Sequence, residues 1–307
     1  MDYSEIKDRC VSWIRDWFDR NGKDCCAVLG MSGGKDSTVA AALCAEALGR
    51  DRVVGVAMPA EGQSLNDADE ICRWLGIRYV CVPIGDIINS FSILASCKVS
   101  TQGAEYIGAN APVAETLQSA ETQGPELSGC RPSVMGALSR KIFAPGTEGL
   151  HPEQTEAVTL SKQAEQNIPP RVRMAVLYAI AQTYNGRVSC NCNLSEDYLG
   201  YSTLWGDSVG SFAPLSYLTV TEIKQIGHYL GIPDKWVDKI PDDGLPHSCS
   251  DEEKFGFTYE ELDRKIRGLN TTDISTEKEE KMLLMYKKSE FKRKIINIDS
   301  FKPELYE

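Results

Sequence analysis

Cys25-Cys-Ala-Val-Leu-Gly-Met31, then Ser32-Gly-Gly-Lys-Asp-Ser37, then Thr38-Val-Ala-Ala-Ala-Leu-Cys-Ala-Glu-Ala-Leu48 is the stretch whose reading decides the fold. An apolar run delivers small, hydroxylated and glycine residues onto a helix start. The N–H groups of a first helical turn lack intrahelical partners and the helix dipole favours negative charge there, so the junction is an anion site with phosphate as the expected guest. A P-loop does not fit. That loop needs four residues between its first glycine and Gly-Lys-Ser/Thr. Between Gly30 and Gly34 stand only Met31, Ser32 and Gly33, and Asp36 follows Lys35 where a metal-binding Ser or Thr belongs. A glycine turn capped by Ser32 or Ser37 is the bland alternative, and it has no need of the whole string.

Outward from this junction the pattern is β-α-β-α-β. Strand 25–31 leads to helix 37–48, strand 53–58 to helix 66–75, and strand 79–82 to a helix from about Asp86. Residues 3–20 carry Ile6, Cys10, Val11, Trp13, Ile14, Trp17 and Phe18 at helical spacing. Short continuous apolar strands alternating with helices predict a doubly wound, mostly parallel α/β sheet covered on both faces, with ligands at the carboxyl ends of its strands. From about 96 to 166 Gly, Ser, Ala, Thr and Pro dominate and periodicity fades. This segment reads as an atypical insertion: a lid, a small subdomain or a disordered stretch. Order resumes at Ile168-Pro-Pro-Arg171, where the prolines suit a helix start. A strand at 187–192 and helices near 220–230, 259–267 and 276–290 follow.

The 307 residues are 42% hydrophobic and 25% charged, which suits a globular chain of one large domain or two ordinary ones. A formal charge of −11 argues against a general nucleic-acid or membrane binder. The polar first residues and the lack of a long apolar run point to a cytoplasmic protein. The eleven cysteines include no C-x-x-C pair, and His151, His228 and His247 are scattered, so reduced, mostly buried thiols are expected rather than zinc.

A second constellation, Asn191-Cys-Asn-Leu-Ser-Glu196-Asp-Tyr-Leu-Gly-Tyr-Ser-Thr-Leu204-Trp-Gly-Asp207, also begins at a strand's carboxyl end and enters a helix. Glu196 and Asp36 are expected at the ends of neighbouring strands. Two hard oxygen ligands beside a triphosphate are what Mg²⁺ requires, since it keeps waters and adds substrate phosphates. Alone, Glu196 reads equally as a first-turn carboxylate favoured by the dipole.

Ser32-Gly-Gly-x-Asp-Ser37 resembles the pyrophosphate loop of the ATP pyrophosphatase superfamily, which splits ATP between its α and β phosphates. Together with Asn167-Ile-Pro-Pro-Arg171-Val-Arg-Met174, the Asn191–Asp207 stretch, Phe212-Ala-Pro-Leu215, Leu218-Thr-Val-Thr-Glu222, Pro241-Asp-Asp-Gly-Leu245 and Ser250-Asp-Glu-Glu-x-x-Gly-Phe-Thr-Tyr259, it follows the motif order of ammonia-dependent NAD⁺ synthetases. The likeness spans the chain apart from 96–166, where that family is usually much shorter. It implies an adenine-nucleotide α-hydrolase-like fold in a single domain over 1–307. The implied reaction is amidation of deamido-NAD⁺ by ammonia through an acyl adenylate, giving NAD⁺, AMP and pyrophosphate.

On that resemblance Gly30, Met31, Ser32, Gly33, Gly34, Lys35, Asp36 and Ser37, with Asn191 and Asp242, contact ATP. Asp36 and Glu196 hold Mg²⁺. Arg171, Leu204, Ser211, Phe291 and Lys292 fall at deamido-NAD⁺ contacts, and Asp207 and Lys35 serve catalysis, Asp207 by orienting ammonium or taking its proton. Homodimers with small-molecule substrates are implied, without nucleic acid or membrane. No glutaminase domain fits ahead of Ser32, so free ammonia is the expected nitrogen source.

Some positions depart from the pattern. The family often has a basic residue at Leu204 and an Asp at Ser211, and one branch has a Lys at Val220. Thr is usual at Asn191, and Thr or Ser at Asp242. Two other readings therefore stay open: another ATP pyrophosphatase amidating a different carboxylate, and a nucleotide-binding protein without catalysis.

Overall fold

The computed structural model describes residues 2–60, 66–91, 98–100, 155–157, 160–239, 250–295 and 298–303. In chain order its elements are α1 (Tyr3–Asn21), β1 (Cys26–Gly30), α2 (Lys35–Leu48), β2 (Val53–Ala57), α3 (Asn66–Leu75), β3 (Arg78–Cys81), α4 (Gly85–Ser90), β4 (Lys98–Ser100), β5 (Thr155–Ala157), α5 (Lys162–Thr183), β6 (Gly186–Val188), α6 (Leu194–Leu199), β7 (Phe212–Ala213), α7 (Val220–Tyr229), α8 (Asp234–Val237), α9 (Asp251–Phe255), α10 (Tyr259–Ile266), α11 (Thr276–Lys288), α12 (Glu290–Ile295) and β8 (Asp299–Ser300). The chain divides into two units, Met1–Phe91 with Ser161–Glu307, and Ser92–Leu160. Within the second, β4 and β5 form an antiparallel ladder. The rest of the expected insertion 96–166 lies outside the described residues, except for its end from Leu160, where Ser161 caps α5 and 162–166 belong to it.

In the first unit four parallel strands run in the order β3-β2-β1-β6. The chain winds outward from β1 through β2 to β3 and later returns to the other side of β1. The strand order therefore reverses between β1 and β6, and the crevice at their carboxyl ends is where such sheets bind ligands. Period-2 alternation distributes the strand side chains: Ala27 and Leu29 join the core under α1, α2 and α7, while Val28, Val54 and Val56 pack against Val172 and Ala181 of α5 and against Ile84. Burial on both faces explains why β1 and β2 read as continuous apolar runs.

Local signals set most boundaries. The Asp2 side chain accepts from Ser4 N and Glu5 N to start α1. Three capping boxes, Thr219 with Glu222, Ser250 with Glu253 and Thr258 with Glu261, start α7, α9 and α10. Two expectations need correction. Pro169 and Pro170 do not start a helix. They lie inside α5, which Ser161 opens earlier by accepting from Ala164 N, and the apolar face that follows them packs on the sheet and carries the helix through. The strand expected at 187–192 ends at Val188. Beyond it, Ser189 N still donates to Val28 O, but Cys190 N donates to Phe212 O, so the chain leaves β1 for β7. No helix among the described residues is long and apolar enough to cross a membrane.

Candidate active site

Gly30 closes β1 and Gly34 is the N-cap of α2, so the junction is a four-residue turn at the reversal point of the sheet. Gly33 has φ +81°, and a Cβ there would lie 2.9 Å from Asp67 Cβ, so both its conformation and its surroundings call for glycine. Gly34 brings no side-chain cap to α2, which leaves the first-turn N–H groups without one. The loop hydroxyls hold one another. Ser37 Oγ donates to Gly34 O at 3.0 Å, the Ser32 and Ser37 hydroxyls are 3.2 Å apart, and Gly34 N donates to Ser32 Oγ at 3.3 Å. The result is a small, rigid ring of oxygens and amides shaped for an anion.

Helix α2 begins at Lys35, two residues before the expected start, so Lys35 and Asp36 stand on its first turn. Lys35 is buried and its Nζ lies 2.8 Å from Asp36 Oδ2. Burial acts against its charge, but Asp36 and Glu196 outweigh it and hold the ammonium pKa above its ordinary value. Lys35 therefore offsets part of the negative charge of the acids around it.

Glu196 stands on the first turn of α6, as Asp36 stands on the first turn of α2. Its pKa is well above the usual carboxylate range, first through burial and then through repulsion by Asp36, with Lys35 offsetting part of both. One residue joins the two acids. Asn193, with no exposed surface, accepts from Glu196 N at 2.9 Å through Oδ1 and donates through Nδ2 to Asp36 Oδ1 at 3.1 Å. It caps α6 and fixes the partner acid across the sheet. Asn191 acts similarly on the strand ends: its Nδ2 donates to Gly30 O at 3.2 Å and its Oδ1 accepts from Ser189 Oγ at 2.9 Å. Its amide is engaged in joining β1 to β6.

Asp207 ends the tight turn after Trp205, itself at φ +60°. Its Oδ1 accepts from Thr203 N at 2.6 Å. The residue keeps solvent access while protein surrounds its carboxyl, as on a cleft wall, and this desolvation raises its pKa. Its chain neighbours Trp205 and Val209, with Met174, Tyr178, Ile295 and Ile298, line an apolar cleft of about 430 Å³. Trp205 is 51% exposed there, a face suited to a heteroaromatic ring.

The expected dinucleotide contacts are positioned unequally. Arg171 Nε donates to Leu204 O at 3.3 Å, bringing those two together. Ser211 adjoins Tyr178, a residue of the cleft lining. Phe291 is exposed. Lys292 is neither a solvated tail nor a free contact: its Nζ donates to Gly200 O at 2.8 Å and Ser202 O at 2.5 Å, and it holds the loop that carries Leu204. Asp242 lies outside the described residues.

Asn193 was absent from the expected contacts, although an Asn three residues ahead of Glu196 is a legible helix start. Tyr259 closes the Ser250–Tyr259 motif, with no signal in the sequence of what its side chain approaches. Its ring lies 5.8 Å from Lys35 Nζ, and its hydroxyl is buried without a hydrogen-bond partner among the described residues. Among the described residues only His228, Asp234 and Asp238 bring three metal-capable groups within 4.8 Å, on an exposed surface. The eight described cysteines are free thiols.

The family model described as NAD synthase matches residues 6–111 and 144–296 and leaves 112–143 unmatched. An NH(3)-dependent NAD(+) synthetase of Methanococcus aeolicus is 31% identical, covering 79% of this chain and 74% of that protein. That of Thermococcus sibiricus is 29% identical over 96% of both. Two solved structures share the fold: NMN synthetase from Francisella tularensis, with TM-score 0.69, 23% identity and coverage of 99% and 100%, and NH3-dependent NAD synthetase from Campylobacter jejuni, with TM-score 0.63, 21% identity and coverage of 97% and 99%. They share this chain's parallel sheet flanked by helices.

Proposed function

The chain belongs to the NAD synthase family, and from that membership we propose that it amidates deamido-NAD⁺ with ammonia at the expense of ATP. The observation that carries the proposal is the pairing of an uncapped, glycine-built anion turn with Asp36 and Glu196 on the first turns of α2 and α6, joined through Asn193. A carboxylate resists amidation until one of its oxygens becomes a leaving group. A substrate carboxylate oxygen therefore attacks the α-phosphorus of ATP, the α–β bridging bond breaks, and pyrophosphate leaves. The Ser32–Ser37 turn, with its amides and hydroxyls, receives that pyrophosphate. Ammonia then attacks the acyl carbon, AMP departs with the former carboxylate oxygen, and the nitrogen gives up a proton. Asp207, flanked in the chain by cleft residues and with a pKa raised by desolvation of its carboxyl, accepts it.

The donor set fits Mg²⁺. Asp36 and Glu196 are hard oxygen ligands that repel each other, and Lys35 offsets this only in part. When bound, the ion would neutralise charge on the phosphates and on the leaving pyrophosphate. Asn193 holds both ligands in place. Replacing it with alanine is expected to lower stability by about 1 kcal/mol through the lost cap, and to cut kcat/KM by about 10–100-fold through loss of ligand orientation. Asn193→Ser should recover the stability, because serine also caps, but not the rate. Recovery of both would contradict the bridging role.

Residues 1–307 are read as one catalytic domain with 96–166 as an insertion, which the unmatched 112–143 supports. Free thiols suit a cytoplasmic setting, and family membership supports a homodimer. Leu204 and Ser211 favour a second reading, amidation of a different carboxylate. Incubation with ATP, Mg²⁺, ammonium and deamido-NAD⁺ should release NAD⁺, AMP and pyrophosphate in equal amounts. Turnover only with another carboxylate would establish the second reading, and MgATP binding without turnover on any would leave a binding protein.

A further inference from the structure

Tyr259 is the first residue of α10, and two devices fix its backbone. The Thr258–Glu261 capping box opens the helix, and Tyr259 N donates to Glu252 Oε1 at 2.8 Å. Its ring packs edge-on against Phe255, and the residue is 4% exposed. The hydroxyl nevertheless has no partner among the described residues, although a buried phenol ordinarily finds one. An unmade buried hydrogen bond is destabilising, so such a group in a rigid setting calls for an absent acceptor.

The surroundings say where that acceptor belongs. The ring lies 5.8 Å from Lys35 Nζ, which is itself 2.8 Å from Asp36 Oδ2 on the first turn of α2. Burial and then the charges of Glu196, Asp251 and Asp36 raise the hydroxyl pKa, keeping it protonated and able only to donate to an anion. Asp251 is already engaged by Tyr201 Oη at 2.9 Å and Lys254 Nζ at 3.3 Å.

We propose that Tyr259 is a further nucleotide-site residue, its buried hydroxyl donating to a β- or γ-phosphate oxygen of ATP seated on the Ser32–Ser37 turn. This inference rests on the ATP-dependent reading above and adds to it a donor from α10, an element outside the parallel sheet. Tyr259→Phe removes only the hydroxyl. Because that hydroxyl has no partner among the described residues, the melting temperature of the free protein should stay the same or rise. The Kd for MgATP, measured calorimetrically, should rise about 10–100-fold, the range for a hydrogen bond to a charged acceptor. The Kd for AMP, which lacks both phosphates, should not change. An unchanged MgATP Kd, or an equal weakening for AMP and MgATP, would overturn the assignment while leaving the proposed reaction intact. Failure of the wild-type protein to bind MgATP would overturn both.

Discussion

Glu196→Gln is expected to stabilise the ligand-free protein while lowering kcat/KM for ATP-dependent amidation by about a thousandfold. The two effects share one cause. Burial and the neighbouring Asp36 raise the Glu196 pKa, so the folded chain holds the neutral form more readily than the unfolded chain does. For an acid of this kind the stability contribution is fully present below the unfolded pKa and is lost as pH rises through the folded one. Glutamine is neutral at every pH. The variant's melting temperature should therefore match the wild type in acid and exceed it increasingly as the pH rises. Catalysis moves the other way, because the carboxylate that is unfavourable in the free protein is one of two that would hold Mg²⁺. Loss of about 4 kcal/mol of charge stabilisation corresponds to the thousandfold decrease. A variant that is destabilised at high pH, or one that retains full activity, would remove Glu196 from the site.

The second large effect concerns the loop after α6. Gly200 ends that helix at φ +67°, and a Cβ there would overlap Ser289, the residue between α11 and α12. Gly200→Ala therefore combines a left-handed conformation, unfavourable by about 1–2 kcal/mol for a residue with a Cβ, with overpacking of about 1–3 kcal/mol. A total loss of about 2–5 kcal/mol is expected by denaturant titration. The functional consequence follows from Lys292, which holds Gly200 O and Ser202 O and through them the turn bearing Leu204 and Asp207. The variant should lose affinity for the carboxylate substrate more than for MgATP. A stability change below 1 kcal/mol would contradict the packing argument.

The sheet was legible because its determinants are local. Continuous apolar runs mark β1 and β2, and the Ser32–Ser37 string can serve few purposes other than holding an anion. The α2 boundary shifted by two residues because Gly34 makes an adequate N-cap without a side chain. Pro169 and Pro170 were misread because a local breaker rule yields to an apolar face that packs on the sheet. The connections that make the site were beyond sequence reading. Asn193 reaches Asp36 across 157 positions of the chain, and Lys292 reaches Gly200 across 92. No periodicity or motif records such pairs, since they exist only once β6 lies beside β1 and the C-terminal helices return to α6. Tyr259 belongs with them: its motif was visible, but its approach to Lys35 was not.

The central claim is that a substrate carboxylate becomes an acyl adenylate on the Ser32–Ser37 turn. Oxygen tracing tests it most directly. With deamido-NAD⁺ labelled by ¹⁸O in its carboxylate, and with ammonium, Mg²⁺ and ATP supplied, mass spectrometry of the products should find one labelled oxygen in AMP and none in pyrophosphate. Label in inorganic phosphate with formation of ADP, or amide formation with unlabelled AMP, would contradict it.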